Sequence, residues 1–255
     1  RSVSRGLGDV YKRQYSYWSK TTVKGNYSIK LRKHLKTGKV EEIWNGDKEF
    51  KKLKPSYFGI GDLSVSNNDK LLAYSLDLKG SEYYDIHIRN IANNKKLKDV
   101  IKETNGSILF SNDDKYILYV KLDSLHRSKS ILLHKIGTSQ KLDKLIYKET
   151  IERFSVNIYS TSDENFFIIS SGDHSTNKCF LLDANLKNLK LKLFKDYKEN
   201  VTYSLNSWDG YLYNHTNDGA ADFKIERYSH KNMQKAILYV KPKKNTIIGG
   251  YLILK

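Results

Sequence analysis

A five-residue turn phrase recurs along this chain at a nearly constant interval. Ser66-Asn-Asn-Asp-Lys70 returns as Ser111-Asn-Asp-Asp-Lys115, then as Thr161-Ser-Asp-Glu-Asn165 and Asn206-Ser-Trp-Asp-Gly210. The equivalent positions 69, 114, 164 and 209 stand 45, 50 and 45 residues apart. A second phrase keeps the same interval: Ile101-Lys-Glu-Thr104, Tyr147-Lys-Glu-Thr150 and Tyr197-Lys-Glu-Asn200. Each copy of the turn is followed by an apolar run, at residues 71–76, 116–122, 166–170 and 211–215. Two markers sharing one period define a repeating unit of 45 to 50 residues.

The content of one unit is legible between Asp62 and Glu103. Four short runs are separated by Asn-Asn-Asp, Lys-Gly-Ser and Asn-Asn-Lys, all turn chemistry. The third run alternates: Tyr84, Ile86 and Ile88 share one face, and Asp85, His87 and Arg89 the other. A period of two means strands. Four antiparallel strands per unit of this length describe a β-propeller blade, which buries its faces against its neighbours. The expected fold class is therefore all-β, an incomplete β-propeller of four-stranded antiparallel blades. A partial first unit spans residues 15–53 and three full units follow over 58–103, 105–149 and 151–198. A further incomplete unit runs from about 200, and Ile247–Leu254 reads as a strand cut short. Residues 46–55 read as a charged connector.

Residues 1–14 do not share this pattern. They hold three of the eight arginines in a chain where lysine dominates, and they lack strand alternation. They read as a non-native or disordered leader, which leaves 15–255 as a partial propeller domain. The formal charge of +17 is spread over turns without an arginine cluster or basic helix, so no nucleic-acid partner is expected. No run approaches the roughly 20 apolar residues of a membrane span, and no membrane partner is expected. Cys179 stands alone and no charged-then-apolar leader opens the chain, so a reducing, cytoplasmic setting is expected.

Several phrases then carry a resemblance. Gly61-Asp-Leu-Ser-Val-Ser-Asn-Asn-Asp-Lys-Leu-Leu-Ala-Tyr-Ser-Leu-Asp77 with Gly80-Ser-Glu-Tyr-Tyr84 resembles the propeller of the prolyl oligopeptidase family, with its oligopeptidase B branch the nearer match. Leu122-Asp-Ser-Leu-His-Arg127, Leu133-His-Lys-Ile-Gly-Thr138, Glu152-Arg-Phe154, Ile169-Ser-Ser-Gly-Asp-His-Ser-Thr176 and Asn217-Asp-Gly-Ala-Ala-Asp-Phe-Lys224 extend it over residues 15–255. Ser128 stands where the family usually has proline after His-Arg. The resemblance implies seven blades, of which four to five are expected here. It also implies a C-terminal α/β-hydrolase domain, a serine oligopeptidase acting on short basic peptides after Lys or Arg, and a propeller that gates and filters substrate.

The chain itself shows no catalytic residues. Gly-x-Ser-x-Gly is absent, and Gly172-Asp-His-Ser sits at a strand end rather than on a strand-to-helix turn. No metal is expected, because neither His-Glu-x-x-His nor a cysteine pair occurs. No cofactor is expected either, since Gly59-Ile-Gly61 precedes no helix pattern. Candidate interdomain or substrate-gating residues are those in the family phrases lying off the strand pattern: His126, Arg127, Glu149, Glu152 and Arg153. An arginine–carboxylate pair among them would serve as a latch between open and closed states. The competing reading is a stand-alone propeller serving as a protein-interaction scaffold without catalysis.

Overall fold

A computed structural model describes residues 14–242 and 246–253. The leader expected over residues 1–14 thus lies, apart from Gln14, outside the described residues. The chain divides into two compact units. One holds residues up to Phe110 together with 136–141, and the other holds Ser111–Lys135 and 142–253.

The first unit begins with a three-stranded antiparallel sheet, β1 (Tyr15–Lys20), β2 (Ile29–His34) and β3 (Val40–Asn45). Helix α1 (Gly46–Leu53) follows where a connector was expected. Its signals are local. The Asn45 side chain accepts the Lys48 N–H at 3.1 Å, Asp47 and Glu49 occupy the first turn, and Lys51 and Lys52 the last. A capping asparagine and charges matched to the helix dipole stabilise eight residues that propensity alone would leave marginal.

The sheet formed by β4 (Gly59–Val65), β5 (Leu71–Asp77), β6 (Tyr84–Asn90) and β7 (Lys96–Thr104) is an antiparallel meander with the four strands expected. Strand β5 is buried on both faces, unlike a strand with one solvated side. The pair Gly59-Ile-Gly61 serves the backbone. The β4–β5 register shifts between Ile60 and Leu63. A Cβ on Gly61 would lie 2.6 Å from Ser75 Oγ and 3.2 Å from the Gly106 Cα. Ser75, fully buried, accepts from Asp62 N at 2.8 Å and donates to Gly106 O at 2.7 Å, closing this bulge. Strand β8 (Leu109–Phe110) ends the unit's long segment.

The second unit contains β9 (Tyr116–Leu122), β10 (Ser128–Lys135) and β11 (Lys144–Lys148) in antiparallel order. Two further four-stranded antiparallel meanders follow. One is β12 (Ser155–Ser160), β13 (Phe166–Gly172), β14 (Asn177–Asp183) and β15 (Lys192–Lys195). The other is β16 (Tyr203–Trp208), β17 (Tyr211–Thr216), β18 (Lys224–Ser229) and β19 (Asn232–Val240). The unit beginning near residue 200, expected to be incomplete, therefore has all four strands. Ile247–Ile253 is not strand; it lies against β17, with Tyr251 Oη donating to Tyr213 O at 2.8 Å. Between the two meanders, Ile168, Cys179, Leu181, Val201, Leu205, Leu212 and Tyr228 form one apolar cluster.

The repeated turn has a conformational cause. Asp69, Asp114, Glu164 and Asp209 all adopt left-handed backbone, with φ of 60°, 57°, 58° and 49°. Asp and Asn tolerate that region better than most side chains. In the first three copies a hydroxyl closes the loop: Ser66 Oγ accepts from Leu71 N at 2.9 Å, Ser111 Oγ from Tyr116 N at 3.0 Å, and Thr161 Oγ1 from Phe166 N at 3.1 Å. The fourth copy uses Asp209-Gly210, both at positive φ, between paired Trp208 and Tyr211.

Candidate functional site

The five candidate residues fall in the second unit, on two loops at one end of the β9–β11 sheet and its neighbour. His126 and Arg127 lie in the β9–β10 turn. Asp123 organises that turn: its carboxylate accepts from Leu125 N and Arg127 N, and its carbonyl from His126 N at 3.1 Å. His126 holds the left-handed position, φ 57°. Glu149, Glu152 and Arg153 lie on the connector from β11 to β12.

The structure brings Arg127 and Glu152 together. Arg127 Nε donates to Asp123 Oδ2 at 2.9 Å and Nη1 to Glu152 Oε1 at 3.2 Å. Arg153 engages other partners, Asp173 Oδ2 at 3.0 Å and Glu199 Oε1 at 2.5 Å. Asp173 belongs to the β13–β14 turn and Glu199 to the following connector, so Arg153 ties two loops of the same rim. Lys198 continues this rim by bonding Asp218 at 2.9 Å. The arginine pairs are half-exposed and in high dielectric, where their contribution to stability is small.

Glu149 is of another kind. Its side chain is 1% exposed. Oε2 accepts from Tyr147 Oη at 2.6 Å, from Ser171 Oγ at 2.5 Å and from Lys178 Nζ at 3.1 Å, and Oε1 accepts from Ile151 N at 2.7 Å. Burial favours the neutral acid. Donors from Ser171, Tyr147, the Ile151 backbone and Lys178 outweigh it and hold the carboxyl at about 2. Glu149 is thus an ionised anchor for the connector, not a solvated loop charge.

Sequence reasoning missed Lys129. Its side chain lies on β10, and the residue is 7% exposed. The ammonium donates to three carbonyls of the connector: Ile151 at 2.8 Å, Glu152 at 2.7 Å and Phe154 at 2.5 Å. All three donors are spent on backbone. In a chain with lysine in nearly every turn, nothing in the sequence distinguishes this one.

Between these loops lies a cleft of about 610 Å³, lined by Lys121, Asp123, Arg127, Lys129, Lys148, Glu149 and Glu152 among others. It has the volume of a ligand site, with more cations than carboxylates on its walls.

The nucleophile-bearing groups elsewhere are built for packing. Ser207 Oγ donates to Asp163 Oδ2 at 2.7 Å, so His230 Nε2 at 2.8 Å is the donor to that oxygen. A general base needs the opposite polarity. His134 Nδ1 meets Asp143 Oδ1 at 2.7 Å in a buried contact that also includes Tyr119 Oη, 2.9 Å from Oδ2. Burial pushes the Cys179 thiol up to about 12, far from thiolate reactivity. Asp173-His-Ser175 is a turn, in which Asp173 accepts from Ser175 N and Thr176 N at 2.9 Å. Among the described residues no group of three or more His, Cys, Asp or Glu is placed to hold a metal ion. No helix of the described residues is long and apolar enough to cross a membrane.

Comparison with known proteins is consistent with this picture of four-stranded blades. Protease 2 of Moraxella lacunata is 23% identical over 221 residues, covering 84% of this chain and 32% of that protein. Dipeptidyl aminopeptidase BI of Pseudoxanthomonas mexicana is 31% identical over 115 residues, 45% of this chain and 16% of that one. Oligopeptidase B from Leishmania major superposes with a TM-score of 0.82 at 22% identity, over 89% of this chain and 33% of that structure. The chain spans about a third of the length of Protease 2. The model of the prolyl oligopeptidase N-terminal β-propeller domain matches residues 9–248. The repeated blades and that match together place the chain in the prolyl oligopeptidase family, as its N-terminal β-propeller domain.

Proposed function

We propose that this propeller gates a serine oligopeptidase, sharing a longer chain with a C-terminal α/β-hydrolase domain that cleaves short peptides after Lys or Arg. The observation that carries this reading is the match of nearly the whole chain to a peptidase family's propeller while it spans a third of a relative named as a protease. The propeller's share is then positional. It admits peptides of limited size, and its charged rim meets the hydrolase domain. Arg127, Glu152 and Arg153 are the residues through which that rim would latch, and their exposed, exchangeable ion pairs suit a contact that must open and close. The cytoplasm is the proposed setting.

The test is to express this chain joined to the coding sequence that follows it and to assay fluorogenic peptides. Cleavage after Lys or Arg, blocked by a serine-directed inhibitor and absent with a folded protein substrate, is the expected result. A following sequence without hydrolase activity would instead favour the interaction-scaffold reading.

A further inference from the structure

The cleft at the rim of the β9–β11 sheet is bordered by donors that have no partner among the described residues. Arg127 spends two of its five N–H groups, on Asp123 and Glu152, which leaves three without an acceptor among the described residues. The Lys148 ammonium and the Ser130 and Thr150 hydroxyls also line the cleft, and none has a side-chain partner among the described residues. Two of the three carboxylates that line the cleft are in the opposite condition. Glu149 is saturated by Tyr147, Ser171, Lys178 and the Ile151 N–H, so it offers little to an incoming cation. Asp123 is occupied by its own turn and by Arg127. Lys129 adds a buried positive charge whose contacts are carbonyls rather than a carboxylate.

Unused donors with an excess of positive charge in a cleft of about 610 Å³ describe a site for an oxyanion. Its borders limit which one. The Glu152 side chain is 87% exposed at the edge of the cleft and repels a second negative charge. That favours a carboxylate over a phosphate dianion. The planar guanidinium matches a carboxylate through two parallel N–H bonds, with Lys148 as a neighbouring point charge. We propose that this cleft binds the free C-terminal carboxylate of a short peptide, held by Arg127 and Lys148 with Ser130 and Thr150 as further donors. The site is a subsite of the gate, where a peptide docks by its end before entry or after release.

This inference rests on the peptidase reading only for its choice of a peptide, and it needs no hydrolytic step. The 255-residue chain is titrated by calorimetry or NMR with N-acetylated Ala-Ala-Lys bearing a free carboxylate, with the same peptide amidated, and with inorganic phosphate. The expected result is saturable binding of the free acid, at least about tenfold weaker binding of the amide, and weakening with added salt. Lys148→Gln, an exposed change that leaves thermal unfolding unaltered, and Arg127→Gln each lower the affinity several-fold. Equal binding of the amide, tighter binding of phosphate, no saturable binding, or unchanged affinity in both variants would each overturn the proposal. None of those results bears on whether the longer chain cleaves after Lys or Arg. Failure of that cleavage would in turn leave the titration's result intact.

Discussion

Both compact units bury long-chain cations almost completely, and Arg89 of the first and Lys129 of the second are neutralised in different ways. In the first, Arg89 is 6% exposed; Nη1 meets Glu49 Oε1 at 2.6 Å and Nη2 donates to Ile43 O at 2.7 Å. The guanidinium also lies 5.0 Å from the Trp44 ring centroid and 5.4 Å from that of Tyr74. In the second, Lys129 is 7% exposed and meets three carbonyls and no carboxylate. The difference follows from shape. A planar fork reads a carboxylate and stacks on rings, whereas a tetrahedral ammonium gathers acceptors from several directions. Arg89 therefore needs an element that delivers a carboxylate, and α1 supplies it. Lys129 needs a loop that turns three carbonyls inward, and residues 151–154 supply them. The first cation docks a helix and the second shapes the connector on which the candidate site is built.

The largest effect that tests this contrast is Lys129→Met. It leaves three inward-facing carbonyls without a donor in a buried position, and a loss of about 4 kcal/mol is expected in chemical denaturation. Lys129→Arg should not restore it, because a planar fork cannot reach the same three acceptors. Full rescue by arginine would erase the distinction between the two cations. Hydrogen exchange at Ile151–Phe154 should rise in the Met variant while exchange in β4–β7 stays unchanged.

Glu149 gives the next effect. It stands close to Lys129 in the chain's folding but bonds Lys178 instead, so the second unit's buried anion and buried cation stay unpaired with each other. Because donors hold the folded carboxyl at about 2, below its ordinary value, it contributes stability above the unfolded pKa. That stability is fully present above about pH 4.5 and is lost as pH falls toward 2. Its size is roughly 3 kcal/mol. Glu149→Gln should flatten this part of the pH–stability curve and lower stability at neutral pH. His87 adds an acid-side loss of the same sign over a different window. Burial, with Lys96 and Lys102 nearby, lowers its pKa to about 4, so folding disfavours its charging as pH falls from the ordinary imidazole range. A curve for the Gln variant still falling steeply between 4.5 and 2 would assign the acid sensitivity elsewhere.

How much of this was visible in the sequence depended on whether one residue's own constraint carried the information. The turn residues Asp69, Asp114, Glu164 and Asp209 were legible because each must adopt positive φ, and short polar side chains mark such positions. The first three strands after them were legible because their runs are mostly apolar, as strands buried on both faces must be, whereas β17 buries alternate residues. Helix α1 carried its own start and stop signals, but its charges suggested a connector; its reason for existing, Glu49 against Arg89, is a contact 40 residues away. The site divided likewise. Glu149 and Arg127 were found because they sit in familiar phrases, yet one is a buried anchor and the other a half-exposed donor. Lys129 carried no mark, since its role depends on carbonyls more than 20 residues on. Local conformational demands are written in single residues, whereas long-range neutralisation is written in pairs.

The smallest effect concerns the Arg89–Glu49 pair and decides whether α1 is docked by charge or by packing. The Glu49 side chain is 16% exposed against 8% for Arg89, so water reaches the carboxylate more readily than the guanidinium. Removing the carboxylate should therefore cost more than removing the cation. Glu49→Ala leaves the buried guanidinium with Ile43 O and two aromatic rings, and a loss of about 2 kcal/mol is expected. Arg89→Leu lets Glu49 turn to solvent and fills part of the vacated volume beside Trp44, with a loss of about 1 kcal/mol. The double variant should sit close to Arg89→Leu alone, because once the cation is gone the carboxylate has nothing left to neutralise. Strictly additive losses would show instead that the helix is held by Phe50 against Tyr27 and Phe58, whose ring centroids lie 5.5 and 5.8 Å away. In that case Arg89 would resemble Lys129 more than the geometry suggests, as a cation satisfied chiefly by carbonyl and ring contacts, and the carboxylate brought by α1 would be incidental to its burial.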